Sequence, residues 1–184
     1  MNVLVVYYSN EGSTAKVAEG LTQAIGGTVR QLIDKRAAGP WSIIAALLGL
    51  GTRLVGANYD VSGQDVVALM TPVWAGSPTP AINTFIARAQ LRDKRVFFVT
   101  VGVSPMNPRT VTLMGRRLKA RGALVVGHQE VLGKQPRMSA PAKGKEPQMP
   151  TRPDPTDEDL IEDGTAIAHT LEAVLAPGTS EANL

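Results

Sequence analysis

Residues 9–14, Ser9-Asn10-Glu11-Gly12-Ser13-Thr14, bring together three hydroxyls, a side-chain amide and a glycine. They follow the apolar run Val3-Leu4-Val5-Val6-Tyr7-Tyr8 and open a helical pattern with Val17, Ala18, Leu21 and Ile25 on one face. A turn of this composition between a buried strand and a helix start is an anion seat. Its amide hydrogens lack partners within the helix, and the helix dipole favours negative charge beside them. The guest such a turn suits best is a phosphate. The plain alternative is that Ser13 and Thr14 only cap the helix, a role worth about 1 kcal/mol.

Other reactive side chains are sparse. The chain has no cysteine, which excludes disulfides, thiolate metal sites and thiol catalysis. His128 and His169 lie far apart and belong to no metal-spacing motif, so both read as structural or solvated. Ser104 has no histidine or acid positioned in sequence to activate it. Asp157, Glu158 and Asp159 stand where acidic residues favour the start of a helix through its dipole. No catalytic residue and no metal ligand is assigned.

The elements that must hold the 9–14 turn are legible from periodicity. Strands are predicted at 3–8, 28–33, Val66–Trp74, 95–101 and 123–126, the last with room to extend to Leu132. Helices are predicted at Ser13–Ile25, 80–89, 110–121 and 157–176, and Gly26-Gly27 stops the first. Strands apolar on both faces and separated by helices imply a parallel sheet covered on both sides. In such an α/β sandwich, ligands collect outside the carboxyl ends of the strands. The 9–14 turn, residues 71–77 and residues 102–109 all fall at such ends.

The length of 184 residues, with 43% hydrophobic and 19% charged residues, fits a single domain spanning 1–184. A formal charge of +3 suits anionic ligands, but no aromatic-and-basic interleaving indicates nucleic acid. The chain enters a strand at once, without a signal-like apolar core, which sets a cytoplasmic expectation. Two segments interrupt the alternation. In the insert 34–65, residues 41–50 are apolar on every helical face yet too few to span a bilayer. That run reads as a helix packed on the domain or a subunit neighbour, a lid over a hydrophobic substrate, or a membrane-surface contact. Residues 134–153 form a long basic, Pro-rich loop that could reach over the ligand edge.

Strand, hydroxyl–Gly–hydroxyl turn and helix, together with Thr71-Pro72-Val73-Trp74-Ala75-Gly76-Ser77-Pro78, resemble the flavodoxin-like family. The likeness runs from Asn2 to about Leu132 and includes the final helix. It implies a doubly wound five-stranded parallel sheet in the order 2-1-3-4-5 with helices on both faces, and FMN as cofactor. Carried over, Ser9, Asn10, Gly12, Ser13 and Thr14 would bind the phosphate, and Glu11 would contribute its main-chain N–H. Pro72, Val73, Trp74, Ala75 and Gly76 would border the ribityl chain and ring, with Gly102, Val103 and Ser104 on the ring's other side. The chain departs from the family at three points: Glu11 stands where Thr is usual, residues 102–109 lack a stacking aromatic, and the protein is mildly basic.

The last two departures point away from a dedicated electron shuttle and towards a related reductase. The resemblance therefore implies transfer of electrons or hydride from NAD(P)H to a quinone-like small acceptor. Arg109, at the opening of a helix near the ligand edge, is either a solvated first-turn residue or a charge for a nicotinamide cofactor's phosphate. Two other classes stay open: a non-enzymatic carrier for a protein partner, and a flavin-free interaction module. No transmembrane segment is expected, and the apolar insert permits a homodimer.

Overall fold

In the computed structural model the described residues are 1–35, 39–104, 106–135 and 152–176. Along the chain run β1 (Val3–Tyr7), α1 (Ser13–Ile25), β2 (Thr28–Gln31), α2 (Pro40–Leu47), β3 (Val66–Trp74), β4 (Ser77–Pro78), α3 (Pro80–Arg88), β5 (Arg95–Gly102), α4 (Pro108–Ala120), β6 (Leu124–Leu132) and α5 (Asp157–Leu175). β1 pairs in parallel with β2 and β3, β3 with β5, and β5 with β6, giving the order β2-β1-β3-β5-β6. With the short β4 set aside, this is the expected 2-1-3-4-5 sheet.

The alternation of side chains across the pleat sorts the core into two layers. Leu4, Val6, Leu69 and Phe98 face α3 and α4, meeting Ile82, Phe85, Met114 and Leu118. Val3, Val5, Met70 and Val99 face the other way, onto Val17 and Leu21 of α1 and Leu160, Ile167 and Leu171 of α5. α1 and α5 approach closely because each presents a glycine at the crossing. A Cβ on Gly20 would lie 2.0 Å from the Ile161 carbonyl oxygen, and one on Gly164 would lie 2.2 Å from that of Val17.

The two-residue strand β4 is the addition that periodicity does not reveal. Ala75 and Gly76 both have positive φ, 49° and 70°, and turn the chain so that Trp74 pairs with Ser77 and Val73 with Pro78. Consecutive left-handed residues are the signature of a tight type I′ hairpin. Other boundaries move slightly. α4 begins at Pro108, whose fixed φ suits the first helical position, and β6 runs the full length to Leu132.

The 34–65 insert folds onto α3. Thr52 N–H donates to Thr84 Oγ1 at 2.7 Å, and the same hydroxyl donates to the Thr52 carbonyl at 2.9 Å. Asn83 Nδ2 reaches the Leu50 carbonyl at 3.3 Å, and Arg117 donates to Asn83 Oδ1. Only Ala46 of α2 is buried, whereas Trp41 is 79% exposed. Among the described residues no helix is long and apolar enough to cross a membrane. Most of the expected 134–153 loop, residues 136–151, lies outside the described residues. Its two ends are tied together by Gln135 N–H to Asp154 at 2.8 Å and Arg152 Nη2 to the Gly133 carbonyl at 2.6 Å.

Candidate functional site

The three loops at the carboxyl ends of β1, β3 and β5 meet in one cleft that is open to solvent. Ser9, Asn10, Glu11, Ser13 and Thr14 form one wall, Pro72, Val73 and Trp74 a second, and Gly102 and Val103 a third. Gly12, Ala75, Gly76 and Ser104 are not part of the lining. Gly12 shapes the turn from behind, and Ala75-Gly76 is the hairpin tip described above. The Ser104 hydroxyl donates to the Met106 carbonyl at 3.2 Å.

The wall around the 9–14 turn presents the start of α1 to the cleft. Gly12 precedes α1 with φ 94° and ψ −28°, a left-handed conformation that costs a side chain dearly and glycine little. Its N–H is satisfied by Ser9 Oγ at 3.2 Å. The first intrahelical bond runs from Lys16 N–H to the Gly12 carbonyl at 3.0 Å. The amides of Ser13, Thr14 and Ala15 therefore precede the hydrogen-bonded part of the helix. No side chain caps them, and the first turn holds no acid. α2, α3 and α4 also start without a side-chain cap; of the described helices only α5 has one, the reciprocal capping box of Thr156 and Asp159.

The Thr14 hydroxyl makes no hydrogen bond to any described residue, although Thr14 is only 2% exposed and lines the cleft. The hydroxyls buried without a partner among the described residues are those of Ser77, Thr100 and Thr110; that of Thr14 is not one of them, so solvent in the cleft meets it. Glu11 is exposed and also lines the cleft, so its carboxylate lies near the helix start. Lys134 belongs to the lining but its ammonium is paired with Asp157 at 2.5 Å, and this pairing holds the Asp157 carboxyl below its ordinary range.

The other two walls are apolar and fixed from behind. Trp74 stands edge-on to Tyr8, ring centres 5.7 Å apart and planes at 85°. Tyr8 is buried beneath it, and burial first, then the charge of Asp34, raises its phenol pKa. Opposite, the loop after β5 is held by Glu130, whose carboxylate accepts the Asn107 N–H at 2.9 and 3.1 Å. Asn107 Nδ2 in turn donates to the Ser104 carbonyl at 3.0 Å. Arg109 is exposed and has its Cδ near Gly76 of the hairpin tip, and neither residue belongs to the cleft lining.

Val101, Gly133 and Lys134 complete the lining, and sequence reasoning missed them. Gly133 follows β6, and its N–H donates to the Gly102 carbonyl at 2.8 Å. A Cβ there would lie 2.8 Å from Val101 and 3.4 Å from Ser13, so glycine is required for the loop to close. The next amide, Lys134 N–H, donates to Ser13 Oγ at 3.1 Å. The signal in sequence was the lone Gly133 just after the last strand.

The remaining candidates are structural. His128 stacks on Phe98 at 5.3 Å, and His169 lies 3.8 Å from Glu172 on an exposed face of α5. The acidic run 157–159 serves the start of α5, through the Lys134 pair and the capping box.

No family model and no curated protein matches this chain. Solved structures do. The chain is similar to a flavoprotein in complex with FMN from Lactobacillus acidophilus, with TM-score 0.59 and 20% identity over 70% of this chain and 92% of that one. It is similar to the two-electron reduced flavodoxin of Megasphaera elsdenii, with TM-score 0.54 and 18% identity over 91% and 98%. A WrbA-like flavodoxin from Agrobacterium tumefaciens aligns with TM-score 0.52 and 17% identity over 94% and 96%. The fold of this chain is flavodoxin-like.

Proposed function

We propose that this protein binds FMN in the three-loop cleft and passes electrons or hydride from NAD(P)H to a quinone-like small acceptor. The observation that carries the reading is the uncapped start of α1, with a Thr14 hydroxyl that bonds no described residue beside it, in one cleft with two apolar loop walls. A dianionic phosphate at that corner would accept the Ser13, Thr14 and Ala15 amides and the two hydroxyls, and it would offset the helix dipole. FMN complements the rest of the lining, since its tricyclic ring is apolar on both faces and polar at its edge.

When bound, the flavin supplies the redox chemistry. The chain positions it and controls access. Trp74, braced by Tyr8, and Pro72 limit one side, while Gly102 and Val103 leave the other side low and open. Gly102 brings main chain rather than a side chain to the cleft. Val103 is exposed, and this open side supports direct reaction with small donors and acceptors. Arg109, beside the hairpin tip at Gly76, would offer positive charge to a nicotinamide dinucleotide.

The test is the visible spectrum of purified protein before and after titration with FMN, followed by NAD(P)H oxidation with and without a soluble quinone. Saturable flavin binding with quinone-dependent turnover is expected. Flavin binding without turnover would make the protein a carrier, and absence of binding would overturn the cofactor reading.

A further inference from the structure

α2 is apolar on every face, yet it lies on the outside of the molecule. Trp41, Ile43, Ile44, Leu47, Leu48 and Leu50 are all exposed, Trp41 to 79% and Leu48 to 68%. The short bridge at the base of the segment adds Ile33 and Val55, whose side chains are also exposed. A helix hydrophobic all round is ordinarily buried, and an apolar surface this concentrated marks a contact with something else.

Charge says what that something is. Residues 30–55 carry four basic residues against the single acid Asp34, and the Asp34 carboxylate accepts the Thr52 hydroxyl at 2.7 Å. Lys35 and Arg53 are joined by a main-chain bond of 2.9 Å at the base of the apolar segment. Beside α2 opens a broad polar hollow lined by Gly49, Gly51, Thr52, Arg53, Thr84 and Arg88. Lys35, Arg53 and Arg88 take no part in any ion pair among the described residues, although the Arg88 guanidinium lies over the Tyr59 ring, 5.6 Å from its centre. A second copy of this chain would bring like charges face to face around its apolar contact, which is costly. A surface that is apolar within and anionic at its boundary matches both features.

We infer that α2 and the adjoining basic hollow dock the protein on an anionic lipid bilayer. The apolar side chains enter the boundary between headgroups and acyl chains, as amphipathic interfacial segments do. Trp41 sits at that boundary, where indole rings are favoured, and the Arg53–Arg88 hollow receives phosphate-bearing headgroups. α2 is in contact with β3 and β4, the hairpin that borders the cleft. Docking thus brings the cleft's rim to the bilayer and to lipid-soluble acceptors. That last consequence rests on the flavin reading of the cleft; the docking does not.

The experiment is vesicle flotation of the full chain, with and without FMN, on phosphatidylcholine alone or mixed with phosphatidylglycerol. The protein should float with the mixed vesicles at low salt, with a blue shift in tryptophan emission, and only weakly with the neutral ones. The double variant Trp41→Gln/Leu48→Gln should lose roughly tenfold or more in partitioning. Arg53→Glu/Arg88→Glu should do the same and lose the salt dependence. All four side chains are on the surface, and circular dichroism checks that both variants fold. Indifference of the wild type to anionic vesicles, or unchanged partitioning of both variants, overturns the proposal. So does a wild-type dimer that ignores vesicles and becomes monomeric in Trp41→Gln/Leu48→Gln. Vesicle binding by protein that does not take up FMN would sink the cofactor reading and leave the docking intact.

Discussion

Thr14→Val separates a ligand-binding hydroxyl from a structural one. The substitution keeps the β-branched shape and its χ1 preference in the first turn of α1, and it removes only the oxygen. Thr14 is 2% exposed and its hydroxyl has no partner among the described residues, so folding of the flavin-free protein has no hydrogen bond to lose there. Its stability should change by no more than about 0.5 kcal/mol. A hydrogen bond to a charged group contributes about 1.5–3 kcal/mol, so the Kd for FMN should rise by about 10- to 150-fold. Riboflavin, which has the ring but no phosphate, provides the internal control: its weaker binding should be the same in both proteins. Ser13→Ala should behave differently, because Ser13 Oγ also accepts the Lys134 amide at 3.1 Å. That change should cost the flavin-free protein about 1–3 kcal/mol as well as affinity. The assay is calorimetric or fluorescence titration with each flavin, alongside urea denaturation of the flavin-free protein. Unchanged FMN affinity in Thr14→Val, or equal losses for FMN and riboflavin, would remove the phosphate from this corner.

Other expectations concern the frame around the cleft. Gly164→Ala places a methyl 2.2 Å from the Val17 carbonyl oxygen, so α5 must move off α1; a loss of about 3 kcal/mol is expected in denaturant melts. Ala75→Asn relieves a left-handed residue at φ 49° in the hairpin tip and should raise stability by about 0.5–1 kcal/mol, read as a higher Tm. The Asp159 carboxylate accepts the Thr156 backbone N–H at 2.8 Å. That bond first, and then the Thr156 hydroxyl, hold the Asp159 pKa below its ordinary 3.8. The folded state therefore binds this proton less readily than the unfolded chain does. The cap's contribution is complete above pH 3.8 and is lost as pH falls through the lower folded value. Asp159→Asn should flatten that part of the acid-side stability curve and leave the rest unchanged.

The fold was legible because its signal is local. Strands such as Val66–Trp74 are apolar on both faces, and a segment of that kind has no stable place except inside a covered parallel sheet. The 9–14 turn was legible for a related reason: unpaired amides at a helix start are a property of the chain within a few residues. The Ala75-Gly76 hairpin was not, since alanine is an unusual occupant of a left-handed position and hid the turn. Nor was the fate of residues 41–50. Hydrophobicity says that such a run seeks cover, and it does not say where the run lies.

By itself, then, the amino-acid sequence determined the order of layers and the three loops that line the cleft, since periodicity and turn chemistry act between neighbours. Only the tertiary structure decided that Gly133 and Lys134 close the cleft against Gly102 and Ser13, the latter 121 residues before Lys134. It also decided that Gly20 and Gly164 let α1 and α5 touch, and that α2 stays outside with its apolar surface uncovered. These are contacts between residues distant in the chain, where a glycine's missing side chain matters only once another backbone occupies the space.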